Sequence, residues 1–117
     1  TMTANKLKIH VRKPTAAAAI FDIDGQVTNT AEDALMTAYT QSTRDGARSI
    51  VLNFSGLDYM NSSGIGLLVT MLIRVQRNKQ KLLAYGLTAH YREIFELTRL
   101  NEAIGIYADE ASALAAA

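Results

Sequence analysis

The stretch IVLNFSGLDYMNSSGIGLLVTMLIRV, Ile50 to Val75, decides the fold. It opens on Ile50-Val51-Leu52 and Phe54, a short β-prone apolar run that predicts a buried strand. Ser55, Gly56 and Asp58 break the run and predict a turn, Tyr59 and Met60 restore apolar character, and Asn61-Ser62-Ser63-Gly64 supplies residues that stop a strand and cap a helix. From Ile65 onward Leu68, Leu72 and Val75 recur at helical spacing. Leu67, Val69, Met71 and Ile73 widen that stripe until the helix is expected to be mostly covered by protein. A helix beginning at Asn61 or Ser62 leaves its first amides unpaired and carries a partial positive charge, which suits an anion. Two small hydroxyls and the glycines Gly64 and Gly66 would let another molecule approach closely. The same residue types also cap ordinary helices, so the junction taken alone is equally an N-cap and nothing more.

Upstream, Lys6 to Arg12 alternates, with Leu7, Ile9 and Val11 on one face and Lys6, Lys8, His10 and Arg12 on the other, as in a half-exposed strand ended by Pro14. Ile20, Phe21 and Ile23 ahead of Asp24-Gly25 favour a second strand over Ala16 to Ile23, with Lys13-Pro14-Thr15 as the hairpin turn. Gln26 to Asn29 reads as a loop. Thr30-Ala31-Glu32-Asp33 then resembles an acidic capping box, opening a helix with Ala31, Ala34, Leu35, Ala38 and Tyr39 as its buried stripe and Gly46 as its stop.

Downstream, RVQRNKQK (Arg74 to Lys81) turns polar, and Leu82 to Tyr85 reads as a strand ended by Gly86. Thr88 opens a helix with Tyr91, Ile94 and Phe95 inward, Ile104 to Tyr107 is a last strand, and Asp109 caps a tail helix through Leu114. Strands and helices alternate from Ala16, so the expected fold is one α/β domain over residues 1–117. It should hold a mostly parallel sheet of four or five strands, an antiparallel edge, and about four helices mainly on one face. Thr1 ahead of Met2 is set aside, and about residues 1–5 are expected to be disordered or an added remnant. In such sheets functional groups lie beyond the carboxyl ends of the strands, here the loops Asp24 to Thr30 and Asp58 to Gly64.

Composition excludes several classes. Twelve basic and eleven acidic residues leave a net charge of +1 with no run of like charge, which argues against a nucleic-acid partner. The absence of cysteine rules out disulfides, thiolate catalysis and cysteine-held metals, and fits a cytoplasmic location. No apolar stretch reaches the roughly 18 residues of a membrane span, and TMTANKLKIHVRKP lacks the apolar centre of a signal peptide. A serine hydrolase would draw on Ser62 or Ser63, His10 or His90, and Asp24 or Asp58, yet no G-x-S-x-G elbow surrounds the serines. Gly64-Ile65-Gly66 fails as a dinucleotide fingerprint because Val69 stands at the third glycine position, and a Walker A lysine is missing. With two isolated histidines and scattered carboxylates, neither a metal nor any other cofactor is expected.

What remains is a hydroxyl at a helix N-terminus. Phosphorylating it adds roughly −1.5 to −2 charges where the helix dipole tolerates them, while a partner docked on the same surface would have to desolvate a dianion. The residues here resemble a known family. VLNFSGLDYMNSSGIGLLVTML, at Val51 to Leu72, is similar to the signature of STAS domains, specifically the small anti-sigma factor antagonists of bacteria, in which a strand and short loop lead through D-S-[ST]-G-[LI]-G into a helix. FDIDGQVTNTAEDAL (Phe21 to Leu35) looks like the second strand and first helix entry, and YREIFELTRLNEAIGIY (Tyr91 to Tyr107) like the third helix and last strand.

The resemblance implies a STAS-like fold and control by partner exchange. In that family the serine after the acidic residue is phosphorylated by an anti-sigma factor that is also a serine kinase, and a PP2C-type phosphatase removes the phosphate. The unphosphorylated antagonist binds the anti-sigma factor and frees the sigma factor. The matching serine is Ser62, and the implied contact surface comprises Asp24, Thr28, Asn29, Thr30, Asn61, Ser63, Gly64 and Ile65. The expected protein is therefore a non-enzymatic monomer or weak dimer. Asn61 stands where the family usually has Asp, and Thr28 where it usually has an acidic residue, which removes two negative charges from the face a kinase reads. One alternative keeps the fold without the switch, as a STAS subunit of a signalling scaffold or lipid-transport complex. The other is a Ser-dependent enzyme.

Overall fold

The computed structural model describes residues 7–117. Five strands form one sheet in the order of the chain: β1 (Lys8–Thr15), β2 (Ala18–Val27), β3 (Ser49–Met60), β4 (Lys81–Tyr85) and β5 (Gly105–Tyr107). β1 runs antiparallel to β2, and the remaining pairs are parallel. Each parallel step needs a crossover, supplied in turn by α1 (Glu32–Arg44), α2 (Ser62–Arg77) and α3 (Ala89–Leu97). These three helices lie over one face of the sheet, where Phe21, Ile50, Leu52 and Phe54 meet Leu35, Leu68, Met71 and Phe95. The tail helix α4 (Glu110–Ala115) covers the other face, setting Ala113 and Leu114 against Ile20, Val51 and Leu83. The expected mixed sheet with its helices mainly on one face is therefore the fold observed. The expectation for residues 1–5, and the start of the first strand at Lys6, lie outside the described residues.

The local differences have physical reasons. The proposed turn at Lys13-Pro14-Thr15 is strand, and the chain reverses at Ala16 and Ala17 instead. Pro14 is tolerated because β1 is an edge strand and its pairing with β2 is irregular between Arg12 and Thr15. The proposed loops at Asp24 and Asp58 also begin as strand, since β2 extends to Val27 and β3 to Met60. Two irregularities hold them in register: Asp22 pairs with Asn53 but Asp24 with Gly56, and Gly25 with Leu57 but Gln26 with Tyr59. β3 thus accommodates one extra residue at each site, and Gly25, at φ +105°, turns through a conformation that a side chain would resist. Thr30 does not cap α1. Thr28 caps a 3-10 turn at Asn29–Ala31 by accepting from the Thr30 amide, and α1 continues from Ala31 without a side-chain cap. Ala34, assigned to the buried stripe, faces solvent, while Leu35, Tyr39 and Ser42 are buried. α2 is less covered than its composition suggests, because Val69 and Ile73 are 37% and 45% exposed.

The α4 face contains the main departure from the sequence reading. Arg12 alternates with apolar residues as if for solvent, yet its Nε and Nη2 donate to the two carboxylate oxygens of Asp22 at 2.7 and 2.8 Å. Nη2 also donates to Glu110 Oε1 at 2.8 Å, and that oxygen accepts from Tyr85 Oη at 2.9 Å. Asn53 Nδ2 donates to Asp22 from the next strand at 2.8 Å. The guanidinium therefore joins β1, β2 and α4, with Tyr85 bringing in β4. A fork holding two oxygens of one carboxylate is the strong form of such a contact. Arg12 holds the carboxyls of Asp22 and Glu110 below their ordinary values, and burial pushes the Tyr85 hydroxyl up to about 12.

Because both carboxyl pKa values are depressed on folding, the contribution of this network is complete above the ordinary values of 3.8 and 4.5 and is lost as pH falls through the folded values. Arg12→Ala is expected to cost about 1–2 kcal/mol at pH 7, limited by partial solvent exposure. Urea denaturation should show that difference shrinking as pH is lowered below 4.

Candidate functional site

The site is the first turn of α2 and the strand ends around it. Asn61 lies in extended backbone, and its Oδ1 accepts the Gly64 amide at 2.9 Å, while its carbonyl accepts the Ile65 amide at 3.0 Å. An uncharged amide side chain thus performs the cap that an aspartate would perform in the resembling family. Asn61 also donates its own amide to the Val27 carbonyl at 3.3 Å, tying the end of β3 to the end of β2. Below it, the Met60 amide donates to the buried Tyr91 Oη at 2.9 Å, so α3 helps fix where β3 stops.

The two glycines have different roles. A methyl group on Gly64 would overlap the Val27 carbonyl oxygen and lie 2.9 Å from Met60 Cγ, so the helix sits on β2 as closely as a bare backbone allows. Gly66 points the other way, with no atom within 4 Å of the position of its absent side chain. Of the two, only Gly66 leaves an outward surface for close approach. Ser62 and Ser63, the first residues of α2, are exposed, and Ile65 is half-buried against the core.

The structure brings most of the named site residues together. The 3-10 turn bearing Asn29 and Thr30 packs on α2, and Thr28 follows Val27 directly while its Oγ1 lies 2.9 Å from Thr30 Oγ1. Asp24 stands apart. It is exposed within β2, three residues before Val27, beside Gly56, where a methyl group would lie 2.8 Å from Asp24 Oδ1. Sequence reasoning missed Tyr59, an exposed aromatic just before Met60. The signal was present, since strand alternation around a buried Met60 places its neighbour outward.

Neither histidine serves the serines. His10 pairs across the strands with Asp22, the His90 ring packs edge-on against Tyr91 at 4.8 Å, and among the described residues neither imidazole bonds to Ser62 or Ser63. No group of three potential metal ligands occurs among the described residues. No helix of these residues is long and apolar enough to cross a membrane.

Residues 8–113 match the sequence profile of the STAS domain. The chain belongs to the STAS domain family. Its sequence is 33% identical over 63 residues to the anti-sigma-B factor antagonist of Staphylococcus aureus, a match covering 54% of this chain and 58% of that protein. The chain therefore spans little more than half the length of the curated relatives it matches. In structure it resembles an anti-sigma factor antagonist from Mycobacterium paratuberculosis, with a TM-score of 0.81 at 17% identity over 95% of this chain and 93% of that one. The antagonist SpoIIAA in its unphosphorylated form follows at 0.72 and 14%, covering 90% and 92%, and the Bacillus SpoIIAA in its phosphorylated form at 0.71 and 16%, covering 90% and 96%. At such identities the solved structures speak for the STAS fold.

Substituting the two glycines separates their roles. Gly64→Ala is expected to destabilise the protein by about 2 kcal/mol or more through overpacking, whereas Gly66→Ala should be neutral or stabilising by up to about 1 kcal/mol. Denaturant unfolding of both variants measures the contrast.

Proposed function

We propose that this STAS domain is an anti-sigma factor antagonist switched at Ser62. In the unphosphorylated form it binds an anti-sigma factor that is also a serine kinase, which releases the sigma factor. Transfer of phosphate to Ser62 ends the complex, and a PP2C-type phosphatase restores it. The observation carrying this reading is the placement of Ser62: an exposed hydroxyl on the first helical residue of α2, with Ser63 and Gly66 on the same turns of the helix, the 3-10 turn of Asn29–Ala31 packed on α2, and an exposed Tyr59 just ahead of it in the chain. The Staphylococcus aureus relative named as an anti-sigma-B factor antagonist supports the class of partner.

The physics of the switch is local. A phosphate on the first helical residue lies near the unpaired first-turn amides and the positive end of the helix dipole, so the folded state accepts it. The neighbouring surface offers a partner an aromatic ring, hydroxyls and a bare glycine, all suited to close packing. A dianion in the middle of that contact would have to give up its water when a partner docks, which opposes binding. The modification therefore acts on binding and leaves the fold in place. Regulated binding of this kind, in a protein without catalysis of its own, needs no large conformational change.

One observation favours a second reading, a STAS subunit of a signalling scaffold or lipid-transport complex with no switch. The Asn61 side chain is taken up by the Gly64 amide and carries no charge, so the acidic neighbour found in the resembling antagonists is missing beside Ser62.

Ser62→Asp distinguishes the two. The switch predicts that this variant loses at least about tenfold in affinity for the anti-sigma factor, with Ser62→Ala retaining binding and both variants within about 1 kcal/mol of the parent in stability. Equal affinity of Ser62→Asp and the parent would favour the scaffold. Isothermal titration against the anti-sigma factor, with a melting curve on each variant, provides both quantities.

A further inference from the structure

Charge is distributed unevenly over this nearly neutral chain. The turns that lead into β3 and β4, the first residue of β4 and the last turns of α1 and α2 carry Arg44, Arg48, Arg74, Arg77, Lys79 and Lys81. Asp45 is the carboxylate among these segments, and it pairs with Lys13 at 3.2 Å. These segments therefore carry a surplus of five positive charges, while the chain as a whole is at +1.

Part of this surplus is structural. Arg48 donates to the carbonyls of Asn78 and Lys79, and Lys81 to that of Ala116. Arg44, Arg74 and Arg77 differ. All three are exposed, and among the described residues none of their side chains makes a hydrogen bond or ion pair. They line one cleft of about 280 Å³ between the C-terminal turns of α1 and α2, together with Thr40, Thr43 and Asn78. Cations in a last helical turn complement the helix dipole, which accounts for one per helix end. Arg74 and Arg77, three residues apart on one face, repel each other, and Arg44 adds a third like charge.

The floor of the cleft is the second observation. Tyr39, only 2% exposed, donates its hydroxyl to Gln80 Oε1 at 2.6 Å and accepts from Asn78 Nδ2 at 2.8 Å. The Gln80 amide in turn donates to Thr43 Oγ1 at 3.0 Å and to the Ala47 carbonyl at 2.8 Å. Burying such a chain costs desolvation that apolar side chains would avoid, and it survives only because every member is satisfied. Its effect is to lock the two helix ends together and to hold Asn78 and Thr43 at the cleft. Thr43 Oγ1 accepts from Gln80, which leaves its own proton free to donate outward.

We propose that this cleft binds a phosphate group, with Arg44, Arg74 and Arg77 as charge partners and Thr43 and Asn78 as neutral donors. Planar guanidiniums with hydroxyl and amide donors on a fixed floor match the tetrahedral oxygens of a phosphate ester. The chemistry is the same for a soluble phosphorylated metabolite and for a phospholipid headgroup. The cleft lies about 20 Å from Ser62 along α2, so an occupant there and a partner at Ser62 bind without overlap. This inference stands independently of the proposed switch.

The test is a titration of the isotopically labelled protein with inorganic phosphate and inorganic pyrophosphate, against sodium chloride at matched ionic strength. We expect saturable amide shifts at Thr40, Thr43 and Asn78, unchanged amides at Ile106 and Tyr107 in β5, and weakening by about tenfold or more in the double variant Arg74→Gln, Arg77→Gln. Arg44→Gln provides the same comparison from the other helix, and Arg92→Gln, on α3 away from the cleft, should bind as the parent does. Co-sedimentation with phosphatidylcholine vesicles containing phosphatidic acid separates the sources. Arginine-dependent sedimentation assigns the headgroup, and binding of pyrophosphate without sedimentation assigns a soluble ligand. Shifts that follow ionic strength alone, or equal affinity in the arginine variants, would overturn the proposal.

Discussion

The contact between the first turn of α2 and the end of β2 governs the rest of the structure. Gly64 sits against the Val27 carbonyl where a methyl group has no room, and Asn61 closes the turn by capping Gly64 and donating to Val27. From there α2 is committed to run back over the sheet, placing Leu68, Met71 and Leu72 in the core and leaving Ser62 at the outer edge. The exposure of Ser62 is thus a consequence of the packing of Gly64. A side chain that kept the helix further from β2 would change the core and the site together.

The two faces of the sheet are held by different means. α1, α2 and α3 bury a continuous apolar layer, whose stability derives from removing hydrocarbon from water. α4 is only six residues long and buries little, so a short apolar contact is supplemented by the Arg12 fork reaching Asp22 and Glu110. The first layer should be insensitive to pH in the acid range, and the second should not.

Much of this was legible in the sequence because the signals were local. Thr88 and Asp109 announce the starts of α3 and α4, Gly46 and Gly86 mark reversals at positive φ, and the apolar spacing of Leu68, Leu72 and Val75 sets the inner face of α2. What escaped was set by pairing between distant segments. The bulges that carry β2 to Val27 and β3 to Met60 exist because two strands adjust to each other, and neither sequence alone records the adjustment. Arg12 reads as a solvent residue until α4 closes over it, 98 residues further along the chain. The exposure of Val69 and Ile73 escaped for a related reason, since an apolar side chain does not state whether its own domain covers it. Of the site, the N-cap and its serines were readable from residue types, and the resemblance to antagonists supplied their role. The inward use of Gly64 required the structure, whereas the outward position of Tyr59 was signalled by strand alternation and overlooked.

The central claim is that Ser62 is a phosphorylation switch, and its most direct test is chemical. The protein is purified from its native cells, growing and stressed, and phosphate is mapped by mass spectrometry. The account predicts phosphate on Ser62 at an occupancy that changes between the two conditions. An abundant protein never modified at Ser62 in either condition would contradict it.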